Sequence, residues 1–349
     1  MREKINMSKQ FQLNRNQSNP ILTPRKDVEW EAKAVFNPSV IFDDSRGLFV
    51  MLYRTYPKMT EETTPKEKRP GFRLKNPISY IGYAESMDGI NFTRRDKPFI
   101  SPETPYDKFG CEDPRITKIG DTYYITYTAI DTPLDKKDPN TKVRIALAST
   151  KDLVKVEKHG IIGPPKTSKA SAFFPEKVNS GQIGLLMTIS SDSTNSHVAV
   201  RYYDSMEEVM RQTDESWAEF LAISQNTAVL QTQWWLHRGP ELGAPPIKTD
   251  RGWLLIFSNE SMSDSWTIGA ALTDLDQPHK LIARTSGYIL QPVLDYEMNG
   301  FVPNVTFPEG AVVVGDELYV YYGSADTVIG LATCNLNELL DYLMTFKGR

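Results

Sequence analysis

The sequence predicts an all-β protein built as a five-bladed β-propeller. Short strands recur in pairs, a glycine-containing turn precedes the first strand of each pair, and helical patterns are scarce. The turn glycines are Gly47, Gly120, Gly181, Gly252 and Gly315, which are 73, 61, 71 and 63 residues apart. A repeat of this size with about four short strands is typical of one propeller blade.

The first strand of each pair is rich in aromatic and β-branched residues, and the second is lighter. The first strands are predicted at 48–54, 122–128, 183–189, 253–257 and 317–322, and the second at 78–85, 144–149, 197–203, 267–272 and 328–333. A β-sandwich is the alternative, but sandwiches do not require this pairwise recurrence. We expect residues 1–349 to form one domain whose last strand pair closes the ring with N-terminal residues.

Two regions show helical patterns, at 205–211 and at 336–346. We therefore expect a C-terminal helix within 336–349, and an N-terminal extension over residues 1–18. A segment rich in Lys, Glu and Pro at 60–75 is predicted to be a mobile loop over one mouth of the channel.

Composition narrows the possible partners. The formal net charge of -4 offers no basic excess for nucleic acid, and no run approaches the roughly 20 apolar residues of a membrane span. The N-terminus lacks an apolar signal, so we expect a cytoplasmic protein with reduced thiols at Cys111 and Cys334. The four histidines lack metal-ligand spacing and no phosphate-binding glycine loop occurs, so neither a metal nor a cofactor is predicted.

Polar residues lie near the ends of the predicted first strands in every blade. A single charge there is usually just solvated, but matching charges in five blades are expected to converge on the central channel. Converging acids and bases suit glycoside cleavage, which needs a proton donor and a second group that activates the attacking molecule. The residues concerned are Arg54, Glu112, Asp113, Arg115, Arg144, Glu176, Lys177, Glu241, Asn259, Glu260, Asn304, Ser324 and Asp326.

Aromatic side chains near these positions can stack on a sugar ring. Trp234, Trp235 and Trp266 are candidates, whereas Trp253 is at least equally well explained as blade core.

The adjacent carboxylates Glu112 and Asp113 are the strongest candidates for proton transfer. We expect Arg115 to keep Glu112 ionised, and the like charge of Glu112 to raise the pKa of Asp113. A raised pKa would tune Asp113 as a proton donor. The residues alone leave a plain turn as an equal alternative.

Eight short motifs occur in order along the chain and together resemble glycoside hydrolase family 130, the β-mannoside phosphorylases and β-mannosidases. The resemblance runs from about residue 19 to 332. The motifs are Phe36-Asn37-Pro38, Leu52-Tyr53-Arg54, Gly110-Cys111-Glu112-Asp113-Pro114-Arg115, Phe174-Pro175-Glu176-Lys177, Gly243-Ala244-Pro245-Pro246-Ile247, Gly252-Trp253-Leu254-Leu255-Ile256, Gly300 to Phe307, and Tyr321-Tyr322-Gly323-Ser324-Ala325-Asp326.

The resemblance implies a five-bladed propeller with Asp113 as general acid, which relays its proton through a hydroxyl of the bound mannose. It also implies a mannose site lined by Asn37, Arg54, Arg115 and Asp326, with Lys177 and Arg144 nearby. The remaining predicted substrate-binding residues are Glu112, His237, Asn304 and Tyr322. The expected partner is a manno-oligosaccharide, joined by inorganic phosphate in a phosphorylase, and a homo-oligomer is a further expectation.

The choice between water and phosphate depends on residues that differ from the phosphorylase pattern of the family. Met187-Thr188-Ile189 replaces a segment that commonly holds Arg, and Phe257-Ser258-Asn259-Glu260 replaces one that commonly holds Tyr-His-Gly. Two cationic positions are thereby lost, while Glu241 and Glu260 add carboxylates to the same region.

Because a phosphate dianion needs compensating positive charge, this pattern favours an inverting exo-β-mannosidase with Glu241 or Glu260 as base. The main alternative is a phosphorylase that gathers phosphate with Arg54, Arg144, Lys177 and either His237 or Arg238. A sugar-binding propeller without catalysis is the third hypothesis.

Overall fold

A computed structural model describes residues 10–58, 78–132, 143–190, 196–233 and 236–348, together with the backbone of two short strands between 58 and 78. The 60–75 segment, Trp234 and Trp235 therefore lie outside the residues whose side chains are described. Five small sheets surround a central channel, so the chain is a five-bladed β-propeller, as predicted.

The blades follow one another along the chain. After β1 (Asn14–Arg15) and a 3-10 helix (Glu29–Glu31), blade one contains β2 (Ala34–Asp43) and β3 (Leu48–Tyr56), then a ribbon of β4 (Glu61–Glu62) and β5 (Arg73–Leu74), then β6 (Tyr80–Ser86) and β7 (Thr93–Arg94). Blade two contains β8 (Gly110–Ile119), β9 (Thr122–Ile130), β10 (Val143–Thr150) and β11 (Glu157–Ile161).

Blade three contains β12 (Ser171–Phe173), β13 (Ile183–Ile189) and β14 (His197–Tyr203), followed by α1 (Met206–Met210), α2 (Asp214–Ile223), a 3-10 helix (Ser224–Thr227) and β15 (Ala228–Gln231). Blade four contains β16 (Leu236–Leu242), β17 (Ile247–Thr249), β18 (Gly252–Ser261), β19 (Trp266–Thr273) and β20 (Leu281–Arg284). After α3 (Asp295–Met298), blade five contains β21 (Thr306–Val314), β22 (Glu317–Ser324) and β23 (Val328–Asn335), and α4 (Leu336–Met344) follows.

The ring closes as the sequence predicts. β1 pairs with β23, with Asn14 opposite Thr333, so residues from the N-terminal region complete blade five. The five turn glycines all adopt positive φ, between 58° and 144°, which accounts for glycine at the hairpin turns.

The predicted strand pairs are present, but the innermost strand of each blade, which matters most for function, was not predicted. The first strand of each predicted pair is the second strand of its blade. The innermost strands are β2, β8, β12, β16 and β21, which precede those pairs. Glu112 and Asp113 accordingly lie within an inner strand, β8, and not in a segment that leads into one.

The helix α2 was also missed. Thr213 and Ser216 form a reciprocal cap at its start, and the helix buries Trp217 and Phe220 against blade three. Because this apolar face is short, its helical periodicity in the sequence is weak. The predicted C-terminal helix is present as α4.

The core lies in the seams between neighbouring blades, where five larger hydrophobic clusters of described residues are found. Trp253 is fully buried in one seam and its ring meets that of Phe174 edge-on, with the centroids 5.1 Å apart. Trp253 is therefore blade core. Burial of large side chains of this kind contributes about 1.5–3 kcal/mol each.

Both cysteines are buried and free. Within the described part of the chain, every helix is too short or too polar to cross a bilayer.

Candidate active site

Four of the five inner strands contain a β-bulge beside a proline. The pairing register shifts at Asn37 in β2, at Asp113 in β8, before Glu241 in β16 and at Glu309 in β21. The prolines are Pro38, Pro114, Pro240 and Pro308. A bulge bends its strand and re-aims a side chain. Here the bulges turn one amide and three carboxyl side chains toward the channel.

These side chains meet in one cavity of about 150 Å³. Its lining combines a charged side with an apolar side that includes Trp266. The lining residues are Asn37, Arg54, Asp113, Arg115, Lys169, Ala170, Glu241, Trp266, Val302, Val305, Phe307, Glu309 and Asp326.

Arg54 bridges the two adjacent carboxylates. Its Nη1 lies 3.0 Å from Asp113 Oδ1, and its Nη2 lies 2.6 Å from Glu112 Oε1. The amide of Asn37 donates to Asp113 Oδ1 at 2.8 Å, and the hydroxyl of Ser79 donates to Glu112 Oε1 at 2.9 Å. Two carboxylates at the start of an inner strand are thus held by one guanidinium, which excludes a plain solvated turn.

Arg115 takes a different role from the one expected. Its guanidinium donates to the backbone carbonyls of Leu242, Gly243 and Asp113 and lies 3.2 Å from Glu309 Oε1. It therefore ties blade two to blades four and five across the channel. Arg54, and not Arg115, is the cation paired with Glu112.

The pKa values of the pair shift in opposite directions, and the direction for Asp113 is the reverse of the expected one. Burial raises the pKa of Glu112, Arg54 opposes this rise, and the charge of Asp113 adds to it. Burial also favours the neutral form of Asp113, but Arg54, the amide of Asn37, Arg115 and Lys169 together outweigh it and lower its pKa. Because the two carboxyls are adjacent, they titrate as a pair, and the directions of the two shifts favour Glu112 over Asp113 as the site of a proton.

Two further carboxyls in the cavity favour their neutral forms. Burial raises the pKa of Asp326 to about 7, against the opposing effect of Arg54 and with the help of Asp113 and Glu112. Burial likewise raises the pKa of Glu309 well above its ordinary value, although Arg115 opposes the shift. The cavity therefore carries less negative charge near neutral pH than its carboxyl count suggests.

The shift of Asp326 predicts a pH-dependent stability. Between about pH 4 and pH 7 the unfolded chain has lost this proton while the folded protein retains it. This group therefore makes the free energy of unfolding fall with rising pH, by up to about 1.4 kcal/mol per pH unit. Urea unfolding at pH 5 and pH 7 should show that Asp326→Asn gains stability relative to wild type as the pH rises. Parallel pH dependences of the two proteins would contradict the raised pKa.

The two candidate bases lie in different environments. Glu241 is buried and lines the cavity with Asp113. Glu260 is fully buried outside the lining, where Arg238 Nε donates to its Oε2 and His237 Nδ1 lies 3.7 Å away. Its charge is therefore compensated by Arg238, and the geometry does not favour Glu260 as a base.

Several other predicted residues do not line the cavity. Lys177 is exposed in the turn that joins β12 to β13, at the opposite end of the blade. Tyr322 is fully buried, with its hydroxyl donating to Glu297 and 3.2 Å from that of Tyr296. Arg144 stands opposite Ala129 in blade two and is partly exposed.

Three more predicted binding residues, Glu112, Asn304 and His237, do not line the cavity either. Asn304 lies between Val302 and Val305 of the lining and accepts a backbone hydrogen bond from Trp266 at 3.0 Å. His237 is about half exposed and its Nδ1 lies 3.1 Å from Asp264.

Lys169 and Glu309 line the cavity but were missed from the sequence. Lys169 lies two residues before the start of β12, and its positive charge favours the ionised forms of Glu112, Asp113 and Asp326. It was missed because β12 was not recognised as an inner strand. For Glu309 a signal exists, since an acid or amide adjoins a proline in all four bulged strands.

The fold and the cavity define a β-propeller whose channel holds an arginine-bridged acid pair suited to proton transfer on a small polar ligand. The family model of glycoside hydrolase family 130, described as β-1,4-mannooligosaccharide phosphorylase, matches residues 12–345. The chain belongs to glycoside hydrolase family 130, in agreement with the resemblance noted in the sequence.

Individual relatives cover nearly the whole chain. The 1,2-β-oligomannan phosphorylase of Thermoanaerobacter sp. (strain X514) is 36% identical over 332 residues, covering 94% of this chain and 99% of its own. The β-1,2-mannobiose phosphorylase of the same organism is 38% identical over 323 residues, covering 92% and 97%. The solved β-1,2-mannobiose phosphorylase of Listeria innocua, in complex with β-1,2-mannobiose, has a TM-score of 0.76 at 28% identity and covers 95% and 99%.

Proposed function

We propose that the protein is a β-mannoside phosphorylase that cleaves β-1,2-linked manno-oligosaccharides with inorganic phosphate. The observation on which the proposal rests is the charge balance of the cavity. Arg54, Arg115 and Lys169 supply three positive charges. Burial shifts the carboxyls of Glu309 and Asp326 toward their neutral forms. The charge of the cavity is therefore more compatible with a bound phosphate dianion than the sequence indicated.

Two features weaken the hydrolase that the sequence favoured. Glu260 is paired with Arg238 and lies outside the cavity lining, so Glu241 is the one remaining candidate base of the two. The two relatives from Thermoanaerobacter are both named as phosphorylases of β-1,2-mannosides, which supports both phosphate as the attacking group and the β-1,2 linkage.

The proposed reaction is a single displacement at the anomeric carbon. A phosphate oxygen bonds to that carbon from the face opposite the leaving group, and the glycosidic C–O bond breaks. The Glu112–Asp113 pair delivers a proton, through a mannose hydroxyl, to the departing oxygen. The proton of the hydrogen phosphate then replaces the one that the pair has lost. The β-mannoside becomes α-mannose 1-phosphate, and no water is consumed.

Product analysis tests the proposal. The protein is incubated with β-1,2-mannobiose and, in parallel, β-1,4-mannobiose, each with and without phosphate, and products are followed by ion chromatography and NMR. We expect α-mannose 1-phosphate and mannose from the β-1,2 substrate in the presence of phosphate alone. Free mannose at the same rate in phosphate-free buffer would identify a hydrolase, and unchanged sugar under all conditions would identify a non-catalytic sugar-binding propeller.

Lys169 is expected to contribute to phosphate binding. Loss of one charge-assisted hydrogen bond, worth about 1.5–3 kcal/mol, should raise the KM for phosphate about tenfold or more in Lys169→Met. Lys177→Met is the matched control, since Lys177 precedes the second strand of the same blade at its far end. Initial rates are measured against phosphate concentration at saturating mannobiose. Equal KM values for the two variants would remove Lys169 from the phosphate site.

A further inference from the structure

Glu309 is a buried acid in the cavity that neither the sequence motifs nor the reaction above uses. It is the bulged residue of β21, between Pro308 and Gly310, which pair with Tyr322 and Tyr321. Asn37 and Asp113 occupy the equivalent bulges of blades one and two. The same backbone device therefore directs Glu309 toward the channel from blade five.

Only one of the two carboxyl oxygens of Glu309 is satisfied. Its Oε1 lies 3.2 Å from Arg115 Nη2, whereas its Oε2 is buried and without a hydrogen-bond partner among the described residues. The residue is 1% exposed and lines the cavity. A buried polar atom left unsatisfied costs about 1–3 kcal/mol, so a ligand that satisfies it gains affinity.

A sugar hydroxyl suits this position better than a phosphate oxygen. Burial raises the pKa of Glu309 and so favours its neutral form, and a neutral carboxyl can donate or accept a hydrogen bond, as a hydroxyl can. An ionised Glu309 would repel phosphate but would still accept a hydrogen bond from a hydroxyl. In either state the carboxyl matches a hydroxyl, and Arg115 fixes its orientation.

We propose that Glu309 Oε2 hydrogen-bonds one hydroxyl of the mannosyl unit bound in the cavity, which makes Glu309 a substrate-binding and specificity-determining residue. The inference rests on the proposed function, because it takes a mannoside as the ligand. It adds a contact from blade five to those expected from Asn37, Arg54 and Asp326. The hydroxyl that it recognises should contribute about tenfold to affinity.

A double-mutant cycle between protein and ligand tests the inference. Binding of methyl β-mannoside and its 2-, 3-, 4- and 6-deoxy analogues is measured by calorimetry without phosphate, with wild type and with Glu309→Met. We expect wild type to lose about tenfold in affinity on removal of one particular hydroxyl. Glu309→Met should bind the parent sugar about tenfold more weakly and lose sensitivity to that hydroxyl alone. Sensitivity to all four hydroxyls equal to that of wild type would overturn the inference.

The fold of the variant is checked by thermal melting, because Glu309→Met removes the carboxyl oxygen to which Arg115 Nη2 donates. If this variant does not fold, Glu309→Asp enters the same cycle, since it keeps an acid and shortens its reach. Failure of the proposed function is distinguishable: wild type that binds no mannoside would refute the substrate class, and this inference with it. Binding without the selective loss of coupling would refute the inference alone.

Discussion

Asp113→Asn is expected to reduce kcat by about three orders of magnitude while leaving the propeller folded. In the proposed reaction Asp113 belongs to the acid pair that protonates the leaving group, and general acid catalysis typically contributes 10²–10⁴-fold. Asparagine preserves the shape and can still meet Asn37 and Arg54, but it cannot exchange a proton with Glu112. Turnover of β-1,2-mannobiose with phosphate is the measurement, and circular dichroism checks the fold.

The matched control is Asp121→Asn. Asp121 is exposed in the hairpin turn of the same blade, at the end remote from the cavity, and its loss should change kcat by less than about twofold. Activity of Asp113→Asn within threefold of wild type would show that the leaving group takes its proton from another residue.

Arg54→Met is expected to be the most destabilising of the cavity substitutions. Arg54 is the cation that bridges Glu112 and Asp113, at 2.6 Å and 3.0 Å, and its side chain is 12% exposed. Removing one partner of a buried ion pair costs about 3–5 kcal/mol, because the remaining charge is left uncompensated. Both carboxyls should then shift to higher pKa values, so the loss should be larger at pH 8 than at pH 5. Urea unfolding at the two pH values measures it.

Arg46→Met provides the comparison for Arg54→Met. Arg46 lies in the turn that leads into the same strand, β3, and its guanidinium pairs with Glu85 at 2.6 Å with both side chains about one third exposed. Such a surface pair contributes at most about 1 kcal/mol. If the two variants unfold at the same urea concentration, the bridge made by Arg54 does not stabilise the fold.

Much of this fold can be predicted from the sequence because glycines identify its hairpin turns. Each of the five glycines lies in a hairpin turn. The first predicted strand after each glycine closely matches one strand of the structure, namely β3, β9, β13, β18 or β22. The innermost strands escape because bulges and prolines interrupt their alternation. Asn37-Pro38 and Pro308-Glu309 are residue pairs typical of loops, yet both lie inside strands.

The site was predictable only in part. Adjacent acids at 112 and 113 draw attention, but the partner of Glu112 is set by packing between blades. Arg115 is nearest in sequence, whereas Arg54 from blade one is nearest in space. The sequence alone does not reveal the ionic partner of Glu260. In the structure, the register of β16 against β18 places Arg238 opposite it. Such pairings join residues from different strands, so local patterns do not reveal them.

The pairing of β1 with β23 bears on how the chain reaches this structure. Asn14 meets Thr333, so the contact spans almost the whole described chain. Closing a loop of this length costs more entropy than forming a hairpin, so we expect this pairing to form after the local hairpins. Each inner strand pairs with the next strand of its own blade, whereas the pairing of β1 with β23 joins the two ends of the described chain. We therefore expect the cavity, in which Arg115 of blade two meets Glu309 of blade five, to depend on closure of the ring.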